Sequence, residues 1–432
     1  MLPELLTTIP GPRSQELAAR LQQVECRNTT LVTPEWPIFW ERADASNVWD
    51  ADGNRLLDMT SAFGVATLGH GFTRNALTAQ AADLVHAMGD VHPARLKVEL
   101  CEKLSEITFG RWTGGQGKTL LGNSGFEAVE AALKTAVLAT GRNGIVSFEN
   151  AYHGLGYGAL LGAGIPWFRE PFEGQLAQVT KRLTYPTAAD PGPFRRALEQ
   201  VDGSQIAAVL VEPIQGRGGI VIPHDEFLAE LREWCDAHGA LLILDEIYTG
   251  FHRTGKPFAC EWSRVVPDLI CLGKGVTGGF PLSACVGKSE IMDAWPATNG
   301  EALHTSTFLG NPIGCAMGVA SITEHLKPET TALAQERGRD LERALATLVG
   351  APFVQQTRGR GLMRGVELRH RSGKPASDVV IHVVSELLKQ GVILLPDAPE
   401  GHVLAFTPPM TATAEEFAFV AERVKRELMA CG

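Results

Sequence analysis

The chain has 432 residues, of which 44% are hydrophobic, enough for a sizeable core in one or two lobes. Its formal net charge of −10 and its pI near 5.7 argue against a nucleic-acid partner, because such proteins present basic patches to phosphates. No run approaches the ~20 apolar residues of a membrane span, and the N-terminus lacks the pattern of a signal peptide. We therefore expect a cytoplasmic globular protein with no membrane partner.

The eight cysteines are scattered without CxxC spacing. Several of them lie in apolar runs, as reduced core cysteines do in cytosolic proteins. The cysteine pattern therefore predicts neither disulfide bonds nor a metal site.

The first part of the chain predicts small elements. Residues 14–24 have the pattern of a short amphipathic helix, and an extended aromatic-rich stretch follows at 33–40. Residues 47–58 alternate as a hairpin around the turn Asp52-Gly53-Asn54. Two stretches with helical spacing then lead into a larger domain, 73–86 and 94–108.

The middle of the chain, from Thr119 to about His325, alternates strands and helices. Buried strands are predicted by the apolar runs at 145–148, 206–211, 241–244 and 269–272, and one added strand by 281–287. This alternation is typical of a mainly parallel sheet covered on both faces by helices. Gly, Pro and aromatic residues between 155 and 200 predict a loop at the mouth of a site.

The last part predicts a smaller α/β domain. Helices are expected at 312–325, 330–349, 377–390 and 413–428, and strands at 362–369 and 403–406. We divide the chain into an N-terminal segment of a small domain (1–72), a large domain (73–326) and a C-terminal small domain (327–432).

An acid and an amine are predicted at one edge of the sheet, where open α/β sheets bind ligands. The run 241–244 delivers Asp245 to this edge, and 269–272 ends in Gly273-Lys274-Gly275. A lysine amine forms a Schiff base with an aldehyde cofactor, and pyridoxal 5′-phosphate (PLP) also needs an acid beside its pyridine nitrogen. The ordinary alternative is a surface lysine and a turn-capping aspartate.

Two further segments favour this cofactor. The loop 120–125 turns into a helix-forming run, and backbone amides at a helix start can hold a phosphate. Tyr152-His153-Gly154 follows the strand 145–148 and offers an aromatic ring on which a flat cofactor can stack.

The chain resembles the class III PLP-dependent aminotransferases. The motifs that carry the resemblance are SGFEAVEAALK, AYHG, VEPIQGRGG, LILDEIYTGFHRTG, LGKGVTGGFPLSA and HTSTFLGNPIGCA, with VWDADGNRLLDMTSAFGVATLGHGF near the start. They occur in the family's order and cover the chain from about Trp36. The resemblance implies an α/β enzyme of fold type I. Its large domain would hold a mainly parallel seven-stranded sheet, and its small domain would come from the N- and C-terminal segments.

The resemblance also implies roles for matching residues. Lys274 would carry the Schiff base, Asp245 would pair with the pyridine nitrogen and Tyr152 would stack on the ring. A homodimer with shared active sites is implied, as Thr307 would reach the phosphate of the neighbouring subunit. The other positions implied in cofactor binding are Ser124, Gly125, Phe126, His153, Glu212, Ile247 and Tyr248. For His153 we favour a structural, hydrogen-bonded role over one in orienting the cofactor. Phe63 and Val65 are candidates for the substrate wall, with plain core packing as the alternative.

These roles predict a ping-pong transaminase. A primary amine or ω-amino compound donates its amino group, Lys274 moves the proton, and a 2-oxo acid or aldehyde accepts the amino group. The alternatives are an aminomutase, epimerase or decarboxylase on the same scaffold, or a cofactor-binding protein without turnover. A dinucleotide-binding module is disfavoured because no GxGxxG follows a strand.

The sequence departs from the family where many members bind an α-carboxylate. Ala405 stands at the place of the usual arginine, which typically pairs with the glutamate matching Glu212. We expect Glu212 to face another cation, either Arg217 or a substrate ammonium, because an unpaired buried carboxylate is costly. The alternative is a hydrogen bond from Glu212 to backbone or to Tyr248. Tyr248 replaces a common glutamine, and Phe126 replaces a small or hydroxyl residue.

Overall fold

The computed structural model describes residues 1–188 and 191–432, and the chain forms two compact units. The N/C unit comprises Met1–Phe72 and Gln335–Gly432, and the central unit comprises Thr73–Ala334. Residues 189 and 190, which belong to the predicted loop at 155–200, lie outside the described residues.

The strands alternate with the helices through most of the chain. In chain order they are β1 (Trp40–Asp44), β2 (Asn47–Asp50), β3 (Arg55–Asp58), β4 (Gly117–Gly122), β5 (Gly144–Phe148), β6 (Thr180–Leu183), β7 (Ile206–Val211), β8 (Leu241–Asp245), β9 (Leu269–Leu272), β10 (Ser283–Lys288), β11 (Val354–Arg360), β12 (Met363–Leu368), β13 (Val392–Ile393), β14 (Leu395–Asp397) and β15 (Val403–Phe406).

The helices range from single turns to five turns. In chain order they are α1 (Pro12–Val24), α2 (Ser61–Gly64), α3 (Arg74–Asp83), α4 (Arg95–Ser105), α5 (Arg111–Thr113), α6 (Gly125–Thr140), α7 (Tyr157–Leu160), α8 (Pro166–Arg169), α9 (Gly192–Glu199), α10 (Phe227–His238), α11 (Cys260–Ser263), α12 (Ser289–Met292), α13 (Pro312–His325), α14 (Pro328–Ala346), α15 (Ser377–Lys389) and α16 (Ala414–Cys431). None of the described helices is long and apolar enough to cross a membrane.

The central unit is built on a seven-stranded sheet with the order β4-β10-β9-β8-β7-β5-β6. Neighbouring strands from β9 to β6 pair in parallel, whereas β10 pairs antiparallel to both β4 and β9. Every residue of β7 (IAAVLV) is buried, as expected for a central parallel strand covered on both faces. The predicted seven-stranded sheet, including the added strand, is confirmed.

The helix α6 begins close to the end of β4. Ser124 is its N-cap and forms a capping box with Glu127, which satisfies amides that have no partner within the helix. Gly141 ends the helix with a φ of +69°, a left-handed conformation that glycine adopts readily. Local capping therefore fixes where this helix starts, next to the carboxyl edge of the sheet.

The N/C unit contains two smaller sheets. β1-β2-β3-β13 joins the N-terminal hairpin to a strand from the C-terminal segment, and β11-β12-β15-β14 is antiparallel. The predicted elements at 362–369, 377–390, 403–406 and 413–428 correspond to β12, α15, β15 and α16 and are confirmed.

The predicted loop at 155–200 is wrong as a description of that segment. Its described residues include α7, α8, β6 and α9, together with a 3-10 turn at Glu170–Gln175. β6 (TKRL) is one of the two edge strands of the large sheet and carries two charged residues, so it lacks the apolar run that marked the inner strands. Short helices of one turn leave no 3.6-residue period to detect.

Candidate active site

The acid and the amine lie on neighbouring strands. Asp245 ends β8, and Lys274 follows β9 after one glycine. The two strands are parallel, and Asp245 is in register with Cys271, three residues before the lysine. Lys274 opens a 3-10 turn with a φ of +42°, a conformation uncommon outside glycine. The topology therefore brings both groups to the same edge, as the sequence predicted.

Asp245 is held by His153. The two residues are 5% and 1% exposed, and His153 Nδ1 lies 2.8 Å from Asp245 Oδ2. The backbone N–H of Ile247 donates to the other carboxylate oxygen at 3.1 Å. His153 Nε2 is buried without a hydrogen-bond partner among the described residues. His153 is thus a hydrogen-bonded histidine, and its partner is the acid expected beside the cofactor ring.

The Lys274 amine is partly buried and lies near several charges. Its Nζ is 4.6 Å from the centre of the Tyr248 ring, within cation–π range. Burial lowers the pKa of the Lys274 amine, the carboxylates of Asp245 and Glu212 raise it, and the Arg217 charge lowers it again. Because the net effect is a lowered pKa, the neutral amine is more populated than in a surface lysine.

The start of α6 packs against the loop after β8. A Cβ added at Gly125 would lie 3.0 Å from Ile247 Cδ1, and one at Gly273 would lie 3.2 Å from Ile247 Cγ2. Ile247 therefore packs against both glycines, and a side chain at either position would crowd it. The first amides of α6 point out of the helix without intrahelical partners, which suits an anion.

Phe126 supports the loop that carries Tyr152. Gly154 has a φ of +98°, and a Cβ added there would collide with the Phe126 Cβ. The Tyr152 ring itself is partly buried and meets Phe168 edge to face, with ring centres 5.5 Å apart. The bulky residue at position 126 thus packs beneath this loop.

Glu212 hydrogen-bonds to backbone, which was the alternative to a cation partner. Its Oε1 accepts from the Tyr152 N–H at 2.9 Å, and its Oε2 accepts from the Gly216 N–H at 3.0 Å. Burial raises the pKa of Glu212 to about 7; His153 lowers it and Asp245 raises it. Glu212 thus joins the loop after β5, which carries Tyr152, to its own loop after β7.

The remaining substrate-side candidate in the central unit is Arg217. It is exposed, and its Cζ lies 5.8 Å from the centre of the Tyr152 ring. Tyr248 lies beside Lys274. Thr307 is exposed in a turn, and in the same turn Ser306 accepts a hydrogen bond from the Asn123 side chain at 3.2 Å.

Phe63 and Val65 belong to the N/C unit. Phe63 is 59% exposed, so core packing does not explain it, and Val65 is partly buried. The backbone is left-handed at Ser61, Ala62 and Phe63, which strains residues other than glycine. Ala405 is buried in β15 between Gly365 and Leu395.

Tyr185, which supports the loop of Glu212, was not predicted as a site residue. Tyr185 is buried, and its hydroxyl donates to the carbonyl oxygens of Glu212 and Pro213 at 3.0 Å each. Phe168, an aromatic residue of the segment predicted to lie at the mouth of a site, contacts Tyr152 from α8. No sequence pattern marked Tyr185, because β6, the strand just before it, was itself not predicted.

The residues present fit PLP. A buried carboxylate held by a histidine suits a protonated pyridine nitrogen, and a lysine with a lowered pKa suits an aldehyde. The helix start next to Gly125 suits a phosphate. A mainly parallel α/β sheet with this set of groups at its carboxyl edge is the arrangement of a PLP-dependent transferase of fold type I.

Comparisons with known proteins identify the family. A family model described as Aminotransferase class-III matches residues 31–428. The 4-aminobutyrate aminotransferase of Mycobacterium leprae is 36% identical over 434 residues, which cover 95% of each chain. The chain belongs to the class-III aminotransferase family.

Solved structures agree with this assignment. An ornithine aminotransferase from Toxoplasma gondii has a TM-score of 0.83 and 29% identity, covering 96% of this chain and 94% of that one. An amine transaminase from an uncultivated Pseudomonas species, solved in its PLP-bound form, has a TM-score of 0.86 and 28% identity, covering 95% and 99%. The predicted family, fold type, transaminase activity and PLP cofactor are confirmed, as is action on small amine and keto substrates.

Proposed function

We propose that this aminotransferase takes its amino group from a primary amine or ω-amino compound and passes it to a 2-oxo acid or aldehyde by a ping-pong mechanism. The observation that carries the catalytic part is the Lys274 amine, with its lowered pKa, beside the strand that ends in the His153-bound Asp245. The relatives support the donor class, since 4-aminobutyrate and ornithine both carry an ω-amino group.

In this proposal each group has one task. PLP, when bound, withdraws electrons from the bond between the substrate Cα and its hydrogen. Lys274 holds the cofactor at rest, and its freed neutral Nζ takes the proton from the substrate Cα and later returns it. The Asp245 carboxylate holds positive charge at the pyridine nitrogen, and His153 keeps this carboxylate in place.

Three further groups bind rather than react. Tyr152 stacks on the cofactor ring, and Glu212 positions Tyr152 through the backbone bond. The amides of Gly125 and Phe126 at the start of α6 hold the phosphate, with Ser124 as the helix cap.

The substrate class is supported by position 405. A buried alanine cannot supply the positive charge with which many relatives hold an α-carboxylate. A donor without an α-carboxylate loses nothing from this absence, whereas an α-amino acid loses a charge-assisted hydrogen bond. We therefore expect ω-amines to be better donors than α-amino acids.

A donor panel tests the proposal. Holoenzyme is mixed with 4-aminobutyrate, a simple primary amine, a diamine or glutamate, and conversion of the bound cofactor is followed by absorbance. Acceptor consumption equal to donor consumption would distinguish transamination from an aminomutase, epimerase or decarboxylase. A strict preference for glutamate, or product formed without loss of acceptor, would contradict the proposal.

We infer that the enzyme is a homodimer in which Thr307 contributes to the neighbouring active site. Thr307 lies within an apolar surface whose members are each more than half exposed: Val85, Met88, Val91, Leu303 and Phe308. The two segments that form it are joined, because Phe308 packs against His86 with ring centres 5.2 Å apart. Exposed apolar area of this kind marks interaction sites.

The dimer is tested by mass in solution. Light scattering should give twice the 46.5 kDa chain mass. Val91→Glu should shift the mass towards one chain, whereas Val349→Glu, at a valine of the N/C unit that is also more than half exposed, should not. A monomeric wild-type enzyme with full activity would contradict the shared site.

We also propose a cytoplasmic location. Its support is that Cys235, Cys260, Cys271, Cys285 and Cys315 are buried free thiols, which a reducing compartment maintains. Cell fractionation of the tagged protein tests this, and recovery from an extracytoplasmic fraction would contradict it.

A further inference from the structure

The turn that carries Arg217 is fixed on both sides. Gln215 and Val221 exchange backbone hydrogen bonds at 3.2 and 3.0 Å. The Gln215 side chain donates to the Glu149 carbonyl at 2.7 Å, and the Gly216 N–H donates to Glu212 at 3.0 Å. The backbone next to Arg217 is therefore anchored to the ends of β5 and β7.

Arg217 faces the site rather than bulk solvent alone. Its Cζ lies 5.8 Å from the centre of the Tyr152 ring, and the side chain is exposed enough for a small molecule to reach. Burial raises the pKa of the Tyr152 hydroxyl and the Arg217 charge opposes this rise. Burial is also the main cause of the lowered pKa of Lys274, and Arg217 adds to that lowering. The Arg217 charge thus affects the pKa of both the Tyr152 hydroxyl and the Lys274 amine.

The acids of the site already have partners. Asp245 is bound by His153, and both oxygens of Glu212 accept backbone N–H groups. Neither carboxylate therefore depends on Arg217 for its hydrogen bonds. A guanidinium has five N–H donors in a planar fork, so it can bind a carboxylate with two of them and keep other contacts.

We propose that Arg217 binds the carboxylate of a 2-oxo acid acceptor. This inference rests on the proposed transaminase function and names the acceptor class. In a ping-pong enzyme the donor and the acceptor use the same site in turn. An ω-amine donor presents no α-carboxylate to Arg217, whereas a 2-oxo acid does. Arg217 therefore binds an α-carboxylate in the acceptor half-reaction and not in the donor half-reaction. Arg217 is then a specificity-determining residue.

The test uses holoenzyme in its amino-loaded form and two acceptors of equal carbon number, 2-oxobutanoate and butanal. A charged hydrogen bond contributes about 1.5–3 kcal/mol, so Arg217→Ala should lower the rate constant for 2-oxobutanoate by about 10- to 100-fold relative to butanal. Arg217→Lys should recover part of this loss, because it keeps the charge without the fork. Arg196→Ala removes an exposed arginine of α9 and should leave the ratio unchanged.

A binding measurement complements the kinetics. Calorimetric titration of the holoenzyme with butanoate, which cannot react, should show a Kd that rises about 10-fold or more in Arg217→Ala and stays constant in Arg196→Ala. An unchanged ratio of acceptors in Arg217→Ala, or an equal loss for both acceptors, would overturn the inference. If the wild-type enzyme transfers no amino group to either acceptor, the proposed function fails instead.

Discussion

Replacing Glu212 by glutamine tests whether a buried carboxylate joins the two loops at the site. The carboxylate is 6% exposed and accepts the backbone N–H groups of Tyr152 and Gly216. Glutamine keeps the size and one acceptor oxygen, but its NH2 group would face one of these N–H donors. The variant therefore loses one of the two bonds and can no longer ionise.

The size of the effect follows from the pKa of Glu212, which burial raises from 4.5 to about 7. This shift corresponds to roughly 3 kcal/mol at 1.36 kcal/mol per unit. A raised pKa means that the native state retains its proton when the unfolded state has lost it. The contribution of protonated Glu212 to the free energy of unfolding is thus fully present below pH 4.5 and is lost as the pH rises through 7. Between pH 6 and pH 8 the wild type should lose about 1 kcal/mol that Glu212→Gln does not lose.

The assay is urea unfolding at pH 6, 7 and 8 with a fixed PLP concentration, followed by tryptophan fluorescence. Glu233→Gln, an exposed carboxylate on α10, is the matched control and should follow the wild type at each pH. Glu212→Gln should also bind PLP more weakly, because the Tyr152 backbone loses or weakens its anchor. Parallel pH curves for the wild type and Glu212→Gln would refute the reasoning.

Three other results are expected. Burial lowers the pKa of His252 from 6.5 to about 4, so the contribution of the neutral imidazole to the free energy of unfolding is fully present above pH 6.5. This free energy should fall by roughly 3 kcal/mol as the pH drops towards 4, which urea unfolding measures. An equal fall in a His252→Asn variant would contradict this origin. Gly154→Ala should lower the free energy of unfolding by about 2–3 kcal/mol, because the new side chain would be strained by a left-handed φ and would also collide with Phe126. The control Gly141→Ala has a left-handed φ but no neighbour within 4 Å, so it should lower this free energy by only about 1 kcal/mol. Equal losses in the two variants would show that the collision contributes nothing. Asp245→Asn should keep the fold but slow proton removal from a deuterium-labelled donor by about 100-fold in stopped flow, and an unchanged rate would remove Asp245 from the mechanism.

Much of the large sheet could be predicted because its inner strands are continuous apolar runs. Ile206–Val211 is buried at every position, and a run of this kind has few other uses in a globular protein. The edge strand Thr180–Leu183 carries charges and was missed for that reason. A strand that is buried on both faces has a continuous apolar sequence that can be recognised, whereas a partly exposed edge strand does not.

The partners within the site were less predictable than its members. Asp245 and Lys274 could be placed together because parallel strands bring their carboxyl ends to one edge. The hydrogen bond between His153 and Asp245 joins residues 92 positions apart, and no spacing rule connects them. Glu212 was expected to face a cation, but its carboxylate accepts two backbone N–H groups. These partners could not be predicted, because every residue except proline has a backbone N–H and the sequence does not show which of them will approach Glu212.

The most direct measurement is the location of the cofactor on the chain. Holoenzyme is reduced with sodium borohydride, digested and examined by mass spectrometry, with Lys256 and Lys288 of the central unit as internal controls. We expect the cofactor mass on the peptide that carries Lys274, and on no other peptide. Attachment to a different lysine, or a fully active enzyme with Lys274 replaced by alanine, would contradict the assignment.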